Sequence, residues 1–258
     1  MPIVTLTTDF GSRDGYAGAM KGVVLSLAPG ATVVDITHGV PPQDVVAGAV
    51  ALAQAAPLFP PGTIHVAVVD PGVGGARADL LVESGGRFFV GPDNGVLSLA
   101  ARANRRIWRI EAPAFRREPV SPTFHGRDVF APTAGRLAAG AAPSEAGPSV
   151  ETMTDLAPPV IARRKGRLEG RVIHVDAFGN LITSLGTEHV SPDASIEVEG
   201  TGGVYHPVLG RTFSDVAAGA LVAYVGSGGQ LEIARRNGSA AQHVGAERGS
   251  IVRVETSS

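Results

Sequence analysis

Three short apolar runs, residues 2–8, 31–36 and 62–69, are separated by stretches with helical spacing, and this alternation constrains the fold more than any other feature of the chain. Met20, Val23, Val24 and Leu27 recur at helical intervals after the first run. A second helix is expected from about Asp44 to Ala56, with Asp44 as an acid in its first turn. The order β, α, β, α, β argues for a parallel sheet with right-handed crossovers, so the carboxyl ends of the strands share one rim. Two of those ends carry aspartate: Asp9 in TTDFG and Asp70 in VVDPGVGGAR. Ligands of open α/β sheets lie beyond that rim, and the glycines after Asp70 allow backbone to approach a bound molecule closely. The same residues equally suit a tight loop capped by Asp70.

Leu80–Glu83 and Arg87–Val90 read as a strand pair turned at Gly85-Gly86, and Asn94 hangs from the glycine-framed GPDNG loop that follows. From Ala138 to Pro159 the chain is rich in Ala, Pro, Gly and Ser without sustained periodicity, as a domain connection is. The expected domains are therefore residues 1–158, α/β with a mainly parallel sheet, and 159–258, a small all-β unit of short strands between Gly, Asp and Asn turns. The basic cluster Arg163-Arg164-Lys165 reads as part of the linker.

Several function classes drop out. The chain has 258 residues and a net charge of −2 with scattered Lys and Arg, which leaves no electrostatic footprint for nucleic acid. It has no cysteine, so disulfides, thiol catalysis and thiolate metal sites are excluded. No apolar run approaches ~20 residues and the start, MPIVTLTTDFG, lacks a basic segment before an apolar one, so a cytoplasmic protein without a membrane segment is expected. No histidine lies three or four residues from another and there is no HExxH, so no metal is expected. GVGGAR lacks the Gly-Lys-Ser/Thr ending of a phosphate loop, no GxGxxG follows the first strand, and no GxSxG elbow exists; no bound cofactor is expected. His65, His189, His206 and His243 read as structural or solvated.

Two further segments carry chemistry. SPTFHGRDVFAP offers His125 beside Arg127 and Asp128, where an imidazole can act as acid, base or orienter near neutral pH, or make a structural loop hydrogen bond. HVDAFGN presents Asp176, Phe178 and Asn180 two apart; on a strand all three would share one face, suited to a heteroaromatic base, and the competing reading is a hairpin turn at Phe178-Gly179-Asn180.

Taken in order, TTDFG, DITHGVPPQDVVAGA, VVDPGVGGAR, FVGPDNGVLS, PTFHGRDVFAP, DAFGN and GSGGQLEIA resemble the S-adenosyl-L-methionine hydroxide adenosyltransferases, also called S-adenosylmethionine hydrolases, which are related to the fluorinase and chlorinase. The resemblance implies an α/β domain followed by a β-barrel-like domain, and hydrolysis of S-adenosylmethionine to adenosine and L-methionine. It places the family's catalytic signature on Asp70, Arg77 and His125. It places substrate contacts on Asp9 for the ribose diol, on Asp176, Phe178 and Asn180 for methionine and adenosine, and on Ser227 for the methionine end, with Asn94 a further candidate contact. It also implies homotrimers with sites at subunit interfaces. The chain departs from the family's pattern at Gly228, Gly229 and Gln230, at Arg235-Arg236-Asn237, and at Gly75-Ala76. A halogenase, or an S-adenosylmethionine-binding protein without turnover, are the competing functions.

Overall fold

The computed structural model describes residues 1–157, 160–164 and 166–255. It divides into two compact units, residues 1–156 and 157–258. The expected boundary at residues 158 and 159 lies outside the described residues, as does Lys165.

The first unit runs β1 (Ile3–Thr8), α1 (Tyr16–Leu27), β2 (Thr32–Thr37), α2 (Val45–Ala55), β3 (Ile64–Val68), β4 (Asp79–Ser84), β5 (Arg87–Pro92), β6 (Arg106–Arg109), α3 (Ala131–Ala138) and β7 (Ser149–Val150). Its sheet has the order β2-β1-β3-β5-β4-β6-β7. The pairs β2-β1, β1-β3 and β3-β5 are parallel; β5-β4, β4-β6 and β6-β7 are antiparallel. The sheet is thus mixed, which corrects the expectation of a mainly parallel one. The cause is local: Gly85 and Gly86 both adopt positive φ and turn β4 tightly into β5, so no crossover helix intervenes.

One face packs against α1 and α3 through Val4, Leu6, Met20, Val24, Phe130 and Ala134. The other packs against α2 through Leu52, Ala67, Val69, Phe89 and Leu97. With both faces covered, β3 is buried along its whole length, which explains its unbroken apolar run. Asp44 caps α2, its Oδ1 accepting from the Ala47 amide at 3.0 Å. The segment read as a domain connection is partly built into this unit: residues 143–146 form a helical turn with Ala146 fully buried, and β7 closes the sheet edge against β6. A two-residue strand is too short to leave a periodicity in the sequence.

Within β3, His65 is fully buried; its Nδ1 lies 2.7 Å from Thr5 Oγ1 and its ring stacks on Phe89 at 5.2 Å. Burial, with the nearby Arg87 charge, pushes its pKa from 6.5 down to about 4. The unfolded chain therefore takes up this proton first as pH falls, so stability is complete above about pH 6.5 and declines towards pH 4. The loss through this one group is about 2 kcal/mol at pH 5 and about 3 kcal/mol at pH 4. Denaturant unfolding at pH 7 and pH 5 should show that component in the wild type and not in His65→Asn; equal pH dependence of the two proteins would refute it.

The second unit contains β8 (Ala162–Arg164), β9 (Arg167–Val175), β10 (Leu181–Gly186), β11 (Ser195–Gly200), β12 (Gly203–Tyr205), β13 (Val208–Leu209), β14 (Leu221–Val225), β15 (Gln230–Arg235), the short helix α4 (Ala240–Val244) and β16 (Ile251–Glu255). The strand order is β12-β11-β16-β9-β10-β15-β14-β13, with β8 also on β9. Long β9 serves two neighbours in succession, β16 through Leu168–Arg171 and β10 through Val172–Val175. Gly170 lies in this strand where a Cβ would meet Leu185 Cγ at 2.6 Å, so packing there requires glycine. Arg163 and Arg164, read as linker, belong to β8 and pair with β9. The core is formed by Val172, Leu181, Leu185, Leu231, Ile233 and Val252.

Candidate active site

Asp9 and Asp70 follow adjacent parallel strands, with Thr8 opposite Val68, so both lie on the carboxyl-end rim of the first sheet. Beyond Val69 the chain enters the Gly-rich loop, which turns back at Gly74 with φ +74°. A Cβ at Gly74 would collide with the Pro122 carbonyl oxygen, so this glycine lets the 70–77 loop lie directly against the segment that carries His125. That segment is also tightly seated: a Cβ at Gly126 would meet Met20 Sδ at 3.1 Å and the Phe124 ring at 3.3 Å. His125 immediately precedes a π-helical turn, Gly126–Phe130, whose Ala131 amide donates to the Gly126 carbonyl before the chain continues as α3. Such turns are frequent at functional sites.

The structure brings Asp70, Arg77 and His125 together. Arg77 Nε donates to Asp70 Oδ1 at 3.1 Å and its Nη2 donates to Asp70 Oδ2, a fork that fixes both planes. His125 Nδ1 lies 3.0 Å from Arg77 Nη2. Side-chain exposures are 5% for Asp70, 10% for Arg77 and 14% for His125, so the cluster is largely removed from water. Burial acts to lower the Arg77 pKa, but the Asp70 and Asp79 carboxylates outweigh it and hold the guanidinium above its ordinary value. Arg77 is a permanent cation here. Its guanidinium also lies over the Phe130 ring at 5.6 Å.

Two members of the cluster, Asp79 and Arg116, were not singled out in the sequence. Asp79 accepts from Arg77 Nη1 and lies 3.1 Å from His125 Nδ1 and 3.5 Å from Arg116 Nη2. A signal was available: Asp79 is two residues from Arg77 at the head of an apolar strand, and a charge entering a buried strand needs partners. The other polar residues of the HGRD segment are structural. Arg127 donates through Nε and Nη2 to Asp128 at 2.7 Å each, and Asp128 Oδ2 accepts from the Ser121 amide at 3.0 Å.

The remaining candidates are placed as follows. Asp9 Oδ2 accepts from the Gln43 amide at 2.8 Å. Asn94 Nδ2 donates to the Val69 carbonyl at 2.8 Å while its Oδ1 accepts from Val96, so its amide ties the GPDNG loop to the strand end that carries Asp70. In the second unit the strand-face reading of residues 176–180 is overturned. They form the turn between β9 and β10, with Asp176 Oδ1 accepting from the Phe178 and Asn180 amides at 2.9 and 2.8 Å and Oδ2 accepting from Asn180 Nδ2 at 2.8 Å. Gly179 takes φ +81° there, packed against Ser239. A spacing of two orders side chains only on extended backbone, and the Asp176 carboxylate curls this backbone instead. Phe178 is left 80% exposed. Ser227 is exposed on the β14–β15 turn, which leads towards the Gly186 end of β10, whereas residues 176–180 enter its Leu181 end. Among the described residues no group of three or more His, Asp or Glu side chains is disposed to hold a metal ion.

An α/β unit with a carboxylate–guanidinium–imidazole cluster on its strand-end rim, followed by a strand-rich unit, is the frame of a two-domain enzyme. Residues 4–147 match the SAM hydroxide adenosyltransferase N-terminal domain and residues 170–253 its C-terminal domain, and the chain belongs to that family. It is 42% identical over 260 residues to an (R)-S-adenosyl-L-methionine hydrolase from Salinispora tropica, covering 98% of this chain and 97% of the relative. It is 27% identical over 293 residues to a fluorinase from Nocardia brasiliensis, covering 98% and 97%. Among solved structures, an uncharacterized conserved protein from Thermotoga maritima superposes with a TM-score of 0.91 at 31% identity, covering 99% of this chain and 100% of that one.

Proposed function

We propose that the protein hydrolyses S-adenosyl-L-methionine to adenosine and L-methionine, with water attacking the ribose C5′. The observation that carries this reading is the buried cluster of Asp70, Arg77 and His125 at the strand ends. The leaving group is a neutral thioether released from a sulfonium, so it needs no acid. The oxygen–C5′ bond forms as the C5′–sulfur bond breaks, that bond pair returns to sulfur, and the water proton passes to a base. Water is a poor nucleophile at neutral pH, and the cluster supplies what it lacks: Asp70 accepts a hydrogen bond and orients it, Arg77 stabilises the developing hydroxide, and His125 takes the proton. Halide displacement asks instead for a desolvated halide and has no use for this triad. The higher identity to a named hydrolase than to a named fluorinase supports the same choice. Incubation with S-adenosylmethionine in chloride and chloride-free buffers, followed by chromatography, tests it. Adenosine in both is expected; 5′-chloroadenosine would indicate a halogenase, and unchanged ligand a binding protein.

Asp9 holds the ribose diol, Asn94 is a further substrate contact, and Asp176, Phe178, Asn180 and Ser227 hold adenine and methionine. The second unit is barrel-like, a reading supported by the approach of β11 to β13 from opposite ends of the strand order. The protein is cytoplasmic and assembles as a homotrimer in which the first domain of one subunit meets the β domain of its neighbour. Sedimentation should give three chains per particle, and activity should fall on dilution below the assembly range; full activity in a monomer would refute the shared site.

The exposure of Phe178 supports its role as a ligand contact, because a core aromatic would not stand 80% open. Stacking on a base contributes about 1–3 kcal/mol, in ground and transition states alike. Phe178→Ala should therefore raise KM by about 5- to 150-fold with kcat little changed and melting temperature unaltered. Unchanged KM would remove Phe178 from the site.

A further inference from the structure

The buried carboxylate of Asp79 has no part in the chemistry described above, yet it touches two members of the triad. We propose that Asp79 is a positioning residue that accepts a hydrogen bond from Nδ1–H of His125, so that Nε2 is the bare nitrogen facing water. The inference rests on the hydrolytic reading. Its geometry begins with the reversal of β4. Because β4 runs antiparallel to β5, its first residue lies opposite Pro92, the last of β5, at the rim where β3 also ends. A parallel strand would have put Asp79 at the other edge of the sheet. The Asp79 backbone is held from both sides, by its pairing with β5 and by the Ile110 amide, which donates to its carbonyl at 2.8 Å. Asp70 and Arg77, in contrast, stand on a loop.

Two neighbours compete for His125 Nδ1: Arg77 Nη2 at 3.0 Å could only donate to it, and Asp79 Oδ1 at 3.1 Å could only accept from it. If Arg77 prevailed, the imidazole hydrogen would sit on Nε2 and the ring could not receive a proton from water. Arg77 Nη2 already has a carboxylate acceptor in Asp70, while a hydrogen on Nδ1 gives Asp79 a charge-assisted bond. Asp79 is itself held in place by two guanidiniums, Arg77 and Arg116. When Nε2 accepts the water proton, the imidazolium forms against a carboxylate at fixed distance. A carboxylate behind a catalytic histidine acts in this way in serine hydrolases, by orienting one tautomer and stabilising its cation.

The tests are the imidazole nitrogen NMR spectrum of the 15N-histidine-labelled protein at alkaline pH and steady-state kinetics of Asp79→Ala. His125 should carry its hydrogen on Nδ1 in the wild type, and a hydrogen on Nε2 would overturn the proposal without any variant. In Asp79→Ala the hydrogen should move to Nε2, kcat should fall by at least about 100-fold, and KM should stay within about threefold. A lowered melting temperature with kcat and tautomer unchanged would make Asp79 a structural ion partner only. Absence of adenosine from the wild type is a different result, and it would sink the hydrolytic reading first.

Discussion

Asp70→Ala should lower kcat by about 10²- to 10⁴-fold while the affinity for S-adenosylmethionine stays within about tenfold, or ~1.4 kcal/mol. The carboxylate is 5% exposed and both its oxygens accept from Arg77, so it has a fixed direction from which to orient water. Folding should survive, because Arg77 keeps Asp79 as its partner when Asp70 is removed. Binding measured by calorimetry beside single-turnover kinetics checks the split. An equal loss of binding and rate would make Asp70 a ribose ligand rather than a water-orienting group.

Arg77→Ala should be the more damaging change, because it abolishes turnover and also leaves two buried carboxylates, Asp70 and Asp79, facing each other without their shared cation. Breaking a buried pair by removing one partner costs about 3–5 kcal/mol. Arg116, 3.5 Å from Asp79, offsets only part of that for one of the two acids. Urea unfolding at neutral pH should therefore show a larger stability loss for Arg77→Ala than for Asp70→Ala. A loss below about 1 kcal/mol would mean that the carboxylates find other partners and that Arg77 is not the hub.

The parts of the fold set by short-range pattern were legible beforehand. The β-α-β-α-β start follows from apolar periodicity, and the β4–β5 turn follows from Gly85-Gly86. The sheet's mixed character was only partly legible: the Gly85-Gly86 turn already implied one antiparallel pair, whereas pairing between distant strands such as β4 and β6 leaves no local mark. Residues 138–157 misled for a related reason: β7 is two residues long and adheres to the sheet by backbone hydrogen bonds that any sequence can make. Asp70, Arg77 and His125 were named from the family resemblance, and it is Gly74 seated under Pro122 that lets the segments carrying them meet. Asp79 escaped notice because a strand-initial aspartate looks like a turn residue until the strand is known to reverse. For Asp176, Phe178 and Asn180 the sequence left a strand face and a hairpin turn both open, because an even spacing does not show that the Asp176 carboxylate closes the turn that forms here.

The π-helical turn at Gly126–Phe130 has a consequence for how this site can change. Such a turn holds one residue more than the α-helical spacing that α3 then adopts. Deleting one residue from it would restore regular winding, and because the wide turn advances less per residue than an α-helix, the chain on either side would keep roughly its bearing. The wide turn thus seats one residue more beside His125 without re-aiming α3, so the chain can change length here while the helix and the imidazole before it keep their places.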